Sequence, residues 1–237
     1  MNIKHAIIAA GVVSVIGTSA FAADVLVEDF EDATVGYTTS FPEAGSGTDY
    51  FKRTDTSGIS ATFSGVDGSF FAAQDLDNVS GGSSPATLTF SGIDISTFTD
   101  LMFSIDLAED DDGSNEDWDN SDSVVITYSI DGGVAQNLLA IENDGSTFNS
   151  APFIDTNFDG DGEGAEITDT FTTFSSSIIG TGSSMSIVIT FSGLTANDED
   201  IAFDNLTVTG TVIPEPLTVS AGLLGIGGIM LRRRSAV

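Results

Sequence analysis

The chain has 237 residues, with 36 acidic side chains against 6 Lys and Arg, no cysteine and one histidine, His5. A formal charge of −30 at pH 7 excludes electrostatic binding to nucleic acid, and it repels anionic lipid and polysaccharide unless cations intervene. Divalent metals, neutral glycans and basic proteins remain as counter-partners.

At the N-terminus, Lys4 and His5 precede the apolar run 6–16, and Ala20-Phe21-Ala22 supplies small residues for a signal peptidase. This pattern predicts a secretory signal peptide over 1–22, cut after Ala22 or Ala23. His5 leaves with it. A mature chain without His or Cys cannot assemble a Ser-His-Asp triad, a Cys-His pair or an ordinary zinc site. The body is therefore expected to be non-catalytic, paired-carboxylate glycoside hydrolysis being the chemistry that composition does not remove. Residues 23–211 have the length of one domain with a sizeable core, and without disulfides that core, helped by bound metal, must supply the stability.

The body reads as strands throughout. Val25-Leu26-Val27 opens a strand that ends in Glu28, Asp29, Glu31 and Asp32. Short strands are predicted at 50–53 and 61–63, and a firmer one at Phe70-Phe71-Ala72-Ala73, leading into a turn with Asp75 and Asp77. Leu88 and Phe90 alternate after the loop Gly81–Pro85. Leu101, Phe103, Ile105 and Leu107 form one period-two set, and Val124, Ile126, Tyr128 and Ile130 another. Asp131-Gly132-Gly133 is a turn signal that pairs 136–141 back as a hairpin. Residues 168–174 also read as β, and Met185, Ile187, Ile189 and Phe191 alternate near the end. No stretch of the body has a helical period, so the expected class is all-β, two packed antiparallel sheets.

Two acidic loops interrupt the strands. Residues 106–122 hold nine acids and no base, with Trp118, the only tryptophan, between Asp117 and Asp119. Such a ring serves either as an exposed platform that stacks a sugar or as a core side chain at the start of a strand. The second loop, Asp155 to Glu166, satisfies Asp-x-Asn-x-Asp-Gly-x5-Glu, with oxygen donors at Asp155, Asn157, Asp159, Asp161, Glu163 and Glu166 and Gly160 at the tight turn. Position 8 is Gly162 rather than an aliphatic residue, and neither flank is helical. The expectation is a Ca2+ loop inserted between strands, with an affinity of about 10⁻⁴ to 10⁻³ M.

In the last strand, Ile201 and Phe203 place odd positions inward whereas Leu206 and Val208 place even ones inward. A β-bulge at Asp204-Asn205 absorbs such a slip and re-aims Asp204. The run Ile-Ala-Phe-Asp-Asn-Leu-Thr-Val resembles the closing strand of jelly-roll carbohydrate-binding and lectin-like modules. That resemblance implies a structural calcium held by Asp204 with Glu28 and Glu31, and a glycan-binding role to which Trp118 would contribute. An ordinary bulge with a solvated Asp204 is the other reading.

The tail carries the address. Pro214-Glu215-Pro216, the apolar run 217–231 and Arg232-Arg233-Arg234 resemble the PEP-CTERM sorting tail of exported bacterial proteins, over 212–237. Fifteen residues make about 22 Å of helix, short of the roughly 30 Å hydrocarbon core, which suits a transient stop as a single transmembrane sorting helix in the inner membrane. The arginines favour a cytoplasmic end. The resemblance implies processing by an exosortase, delivery to the cell surface or extracellular matrix of a Gram-negative-type bacterium, and association with exopolysaccharide.

Overall fold

The computed structural model describes residues 21–32, 35–110 and 118–214. The expected signal peptide up to residue 20, and the tail with Glu215, Pro216, the apolar run 217–231 and Arg232, Arg233 and Arg234, lie outside the described residues. Pro214 ends them, exposed.

Phe21–Val212 is one compact unit in which, among the described residues, every regular element is a strand. The strands are β1 (Ala22–Glu28), β2 (Thr38–Thr39), β3 (Ala44–Ser46), β4 (Asp49–Thr54), β5 (Phe70–Gln74), β6 (Ala86–Asp94), β7 (Phe98–Ala108), β8 (Ser123–Ile130), β9 (Gln136–Asn143), β10 (Pro152–Ile154), β11 (Thr172–Ser177), β12 (Ser184–Ser192) and β13 (Asp200–Val212). All pair antiparallel, in two sheets: β11-β7-β13-β5-β4-β3 with β1 also on β13, and β10-β9-β8-β12-β6-β2. The expected sandwich is present. The β8–β9 hairpin turns at Asp131 and Gly132, both at positive φ. β1 includes Ala22 and Ala23, which flank the expected cleavage point, and β13 runs one residue past the expected body boundary.

Period-two alternation sends one face of each sheet into a shared core. Phe51, Phe71, Phe103, Leu107, Ile201 and Phe203 of the first sheet meet Leu88, Phe90, Ile126, Ile187, Ile189 and Phe191 of the second. Phe71 lies at the centre of the aromatic packing, stacked on Phe203 at 5.2 Å between centroids and edge-on to Phe51 at 4.9 Å.

The opposite face of the first sheet carries a smaller cluster: Tyr50, Phe70, Ala72, Ala108 and Ala202, roofed by Ala61, Phe63 and Phe171. This roof explains two departures from the sequence reading. Residues 61–63 form no strand, because Ala61 and Phe63 alternate to cover the satellite cluster rather than to pair. The strand expected from 168 begins at Thr172, since Ser64 N–H donates to Asp169 O and Ser64 O accepts from Phe171 N–H across the roof.

β13 is the pivot. Its first part, Asp200 to Phe203, pairs with β5, and Leu206 onward pairs with β1, while β7 runs along the other edge. The handover coincides with an irregularity between Asp204 and Thr207, where Asn205 has φ +49°. Ile201 and Phe203 before it and Leu206 and Val208 after it all reach the main core. The predicted bulge is there.

Candidate functional site

Loop 155–166 leaves β10 and folds back on it. Ile154 N–H donates to Ala165 O at 2.9 Å, Ile167 N–H to Pro152 O at 2.8 Å, and Phe153 bridges Glu166. Buried Asp155 organises the turn: one carboxylate oxygen accepts from the N–H groups of Asn157 at 3.0 Å and Phe158 at 2.6 Å, the other from Gly160 at 2.9 Å. Gly160, at φ +96°, takes the conformation its motif position requires. Glu163 reaches back to accept from the Thr156 N–H at 3.2 Å and from its hydroxyl.

This folding gathers three of the expected donors. Ligand oxygens of Asp155, Asp159 and Glu163, one from each, lie within 4.8 Å of one another, and no other such acidic set occurs among the described residues. Asp161 instead packs against Gly145, Glu166 sits in the bridge to Phe153, and neither joins the trio. Asn157 contributes its N–H to Asp155. The departure at position 8 has a steric cause: a Cβ on Gly162 would stand 2.6 Å from the Glu142 carbonyl oxygen and 2.7 Å from Phe153 Cβ. Position 8 lies against a neighbouring strand, where only glycine fits.

Beside the trio, a cleft of about 270 Å³ is lined by Asn137, Glu142, Asp155, Phe158 and Asp159. Phe158 is 43% exposed there, at φ +61°. Burial, with Asp155, Asp122 and Asp161 nearby, pushes the Glu142 carboxyl up to about 7.

The second expected set is arranged differently. Buried Glu28 accepts from the N–H groups of Phe30 at 3.1 Å and Gly36 at 2.9 Å, closing the loop after β1. Glu31 accepts from Ser69 N–H at 2.8 Å. Asp204 is buried at the bulge and accepts from Asn205 N–H at 2.7 Å. Its carboxyl is pushed up to about 7, chiefly by burial, with Asp106, Glu31 and Asp29 adding to the effect. The acids that act on Asp204 are thus Asp106, Glu31 and Asp29. Glu28 is committed to backbone N–H groups, and Glu28, Glu31 and Asp204 do not form a set closed to within 4.8 Å.

Trp118 is fully buried, with its indole N–H on the Asp200 carbonyl at 3.1 Å. Of its two sequence readings the core one holds. A ring enclosed on all sides offers no face to a sugar, so Trp118 is withdrawn as a ligand-stacking residue.

No family model matches this chain, and no curated protein does. Solved structures of similar layering include the K3 cleaved adhesin domain of Lys-gingipain from Porphyromonas gingivalis, with TM-score 0.44 and 17% identity over 80% of this chain and 99% of that one. Another is a Stig cyclase from Fischerella sp. TAU, with TM-score 0.44, 14% identity and coverage of 82% and 100%. The tandem CBM22-1–CBM22-2 domain of Paenibacillus barcinonensis Xyn10C gives TM-score 0.43 and 12% identity, over 85% of this chain and half of that one. These are likenesses of outline alone.

Sequence reasoning missed two acidic groups. Glu199 accepts from Ala196 N–H at 2.7 Å, and Asp122 from Leu194 N–H at 3.0 Å and Asp119 N–H at 2.6 Å. The two carboxyl groups are hydrogen-bonded to each other, and burial pushes Glu199 up to about 7. The other group surrounds Asp200, whose carboxyl burial pushes up to about 8, with Asp110 and Asp198 adding to it. Nothing in the one-dimensional pattern separates these acids from their many neighbours. A polar residue ending an otherwise apolar strand, Gln74 after Phe70–Ala73, was the one visible hint.

Proposed function

We propose that the chain is an exported, non-catalytic interaction module whose 155–166 loop is built by calcium, displayed at the cell surface or in the matrix and associated with exopolysaccharide. The observation that carries this reading is the closure of Asp155, Asp159 and Glu163 to within 4.8 Å on a loop with the full oxygen-donor motif. Their donor set fits a hard cation, which takes six to eight oxygens, so carbonyls and water complete the sphere. In this reading signal peptidase and an exosortase act on the two ends, and the strong negative charge is offset by the bound ions.

A glycan-binding role is the second reading. Its support is half-exposed Phe158 on the cleft with Asn137, Glu142 and Asp159, an apolar face beside hydroxyl acceptors.

The deciding experiment is the thermal melt of the full chain in EDTA, in millimolar calcium and in magnesium at matched ionic strength. A calcium-specific rise that Asp159→Ala removes supports the module. Equal melts in the two metals would leave only charge screening and overturn it. Calcium-dependent retention on neutral polysaccharide, lost in Phe158→Ala, is the expected result for the second reading.

A further inference from the structure

A second acidic cavity lies on the outer face of the seven-stranded sheet. Register sets Tyr50, Gln74 and Asp200 in a row across β4, β5 and β13. The Ala202–Ala108 pair carries the row to the end of β7, where the Asp110 N–H donates to Asp200 Oδ1 at 3.1 Å. Beside this row is a cavity of about 290 Å³, lined by Ser60, Gln74, Asp110, Asn197, Asp198 and Asp200 together with Ala61. Each polar lining side chain offers oxygen, and none is basic.

The Gln74 amide points to what such a cavity takes. It is 4% exposed, and its Nε2 donates to Asn197 O at 3.0 Å. Its Oε1 has no hydrogen-bond partner among the protein atoms. Turning the amide over would set two oxygens against each other, so the Nε2 bond fixes the orientation. A buried carbonyl oxygen without a partner is costly, and so is a carboxylate as enclosed as Asp200, 2% exposed. Both costs fall if a cation enters.

We propose that this cavity is a second divalent-cation site of the calcium class, with Gln74 Oε1 and the Asp200 carboxylate as its buried ligands and Asp110 and Asp198 supplying further charge. An amide oxygen is an ordinary calcium ligand alongside carboxylates and water. Asp110, Asp198 and Asp200 do not close to within 4.8 Å as the loop trio does, so water fills the remaining positions. The site draws on β5, β13 and the segments after β7 and before β13, and it stands whether or not loop 155–166 binds metal.

Trp118 provides the readout, because its indole N–H is bonded to the Asp200 carbonyl. The test is terbium luminescence, sensitised through this single tryptophan, in the full chain carrying Asp155→Ala and Asp159→Ala to disable the loop. Saturable emission displaced by calcium is expected. Gln74→Leu should weaken terbium affinity by at least roughly tenfold, the loss that removing even an outer-sphere partner brings, while Gln74→Glu, which keeps an oxygen and adds charge, should retain it. Far-ultraviolet circular dichroism in EDTA confirms that each variant is folded. Absence of emission from the folded loop-disabled chain, or equal affinity in Gln74→Leu, would overturn the site. Failure of the loop alone would show instead as a calcium melt unchanged by Asp159→Ala.

Discussion

The indole N–H of Trp118 donates to the main-chain carbonyl of Asp200 at 3.1 Å, tying the end of an acidic loop to the start of β13. Trp118 also exchanges backbone bonds with Ser150, and its carbonyl accepts from Asn143 Nδ2 at 3.3 Å. Trp118 therefore links the stretch 143–150 through its backbone and Asp200 through its ring. Trp118→Ala is expected to cost about 3–5 kcal/mol, the range for removing a large buried aromatic, measured by denaturant unfolding. Fluorescence of the native chain should be blue-shifted and poorly quenched by acrylamide. Emission typical of solvent-exposed indole would contradict this placement.

Gly162 is held between two strands, so Gly162→Ala is a steric probe of the loop. Its new Cβ would meet the Glu142 carbonyl oxygen and Phe153 Cβ at 2.6 and 2.7 Å, and backbone cannot give way cheaply. A loss of about 1–3 kcal/mol is expected, as for overpacking, together with a smaller calcium-induced rise in melting temperature. Wild-type stability in this variant would mean that the loop is not packed against β9.

Much of this architecture is legible in the sequence because period-two patterning is local. The strands of Leu101–Leu107, Val124–Ile130 and Met185–Phe191 are where alternation placed them, and the slip between Phe203 and Leu206 located the bulge. Alternation misled at Ala61 and Phe63, which serve a satellite cluster without pairing. The acidic groups are another matter. Whether Glu28 faces a metal or two backbone N–H groups, and whether Gln74 stands beside Asp200, depends on register between strands far apart in sequence. Local pattern carries no information about that.

The bulge offers a clean test of backbone strain. Asn205 sits at φ +49° with its side chain exposed, its amide donating to Asp106 Oδ2 at 2.9 Å. Asparagine tolerates this region and β-branched residues do not. Asn205→Val should therefore lose about 1–2 kcal/mol, the cost of a left-handed conformation, whereas Asn205→Gly should stay near wild type in equilibrium unfolding. A tolerated valine would argue against the bulge.

Acidic burial gives a pH dependence of unusual sign for a carboxylate-rich protein. Glu142, Glu199 and Asp204 are each pushed up to about 7, burial being the largest cause in each case, from ordinary values of 4.5 for Glu and 3.8 for Asp. Between those ordinary values and about 7 the folded chain holds protons that the unfolded chain has released, so stability falls as pH rises. The contribution is fully present below the unfolded values and is lost as pH passes the folded ones. In EDTA the melting temperature should thus decline from pH 5 to pH 8, and Glu199→Gln, which keeps an oxygen for Ala196 N–H, should flatten the decline and raise stability at pH 8. Glu142 lines the cleft beside the loop trio, so its ionisation adds negative charge there, and stabilisation by calcium should grow over the same interval and be smallest at pH 5. A melting temperature that rises with pH in EDTA would mean that these carboxyl groups are ionised and well solvated in the folded protein, leaving cations little repulsion to relieve.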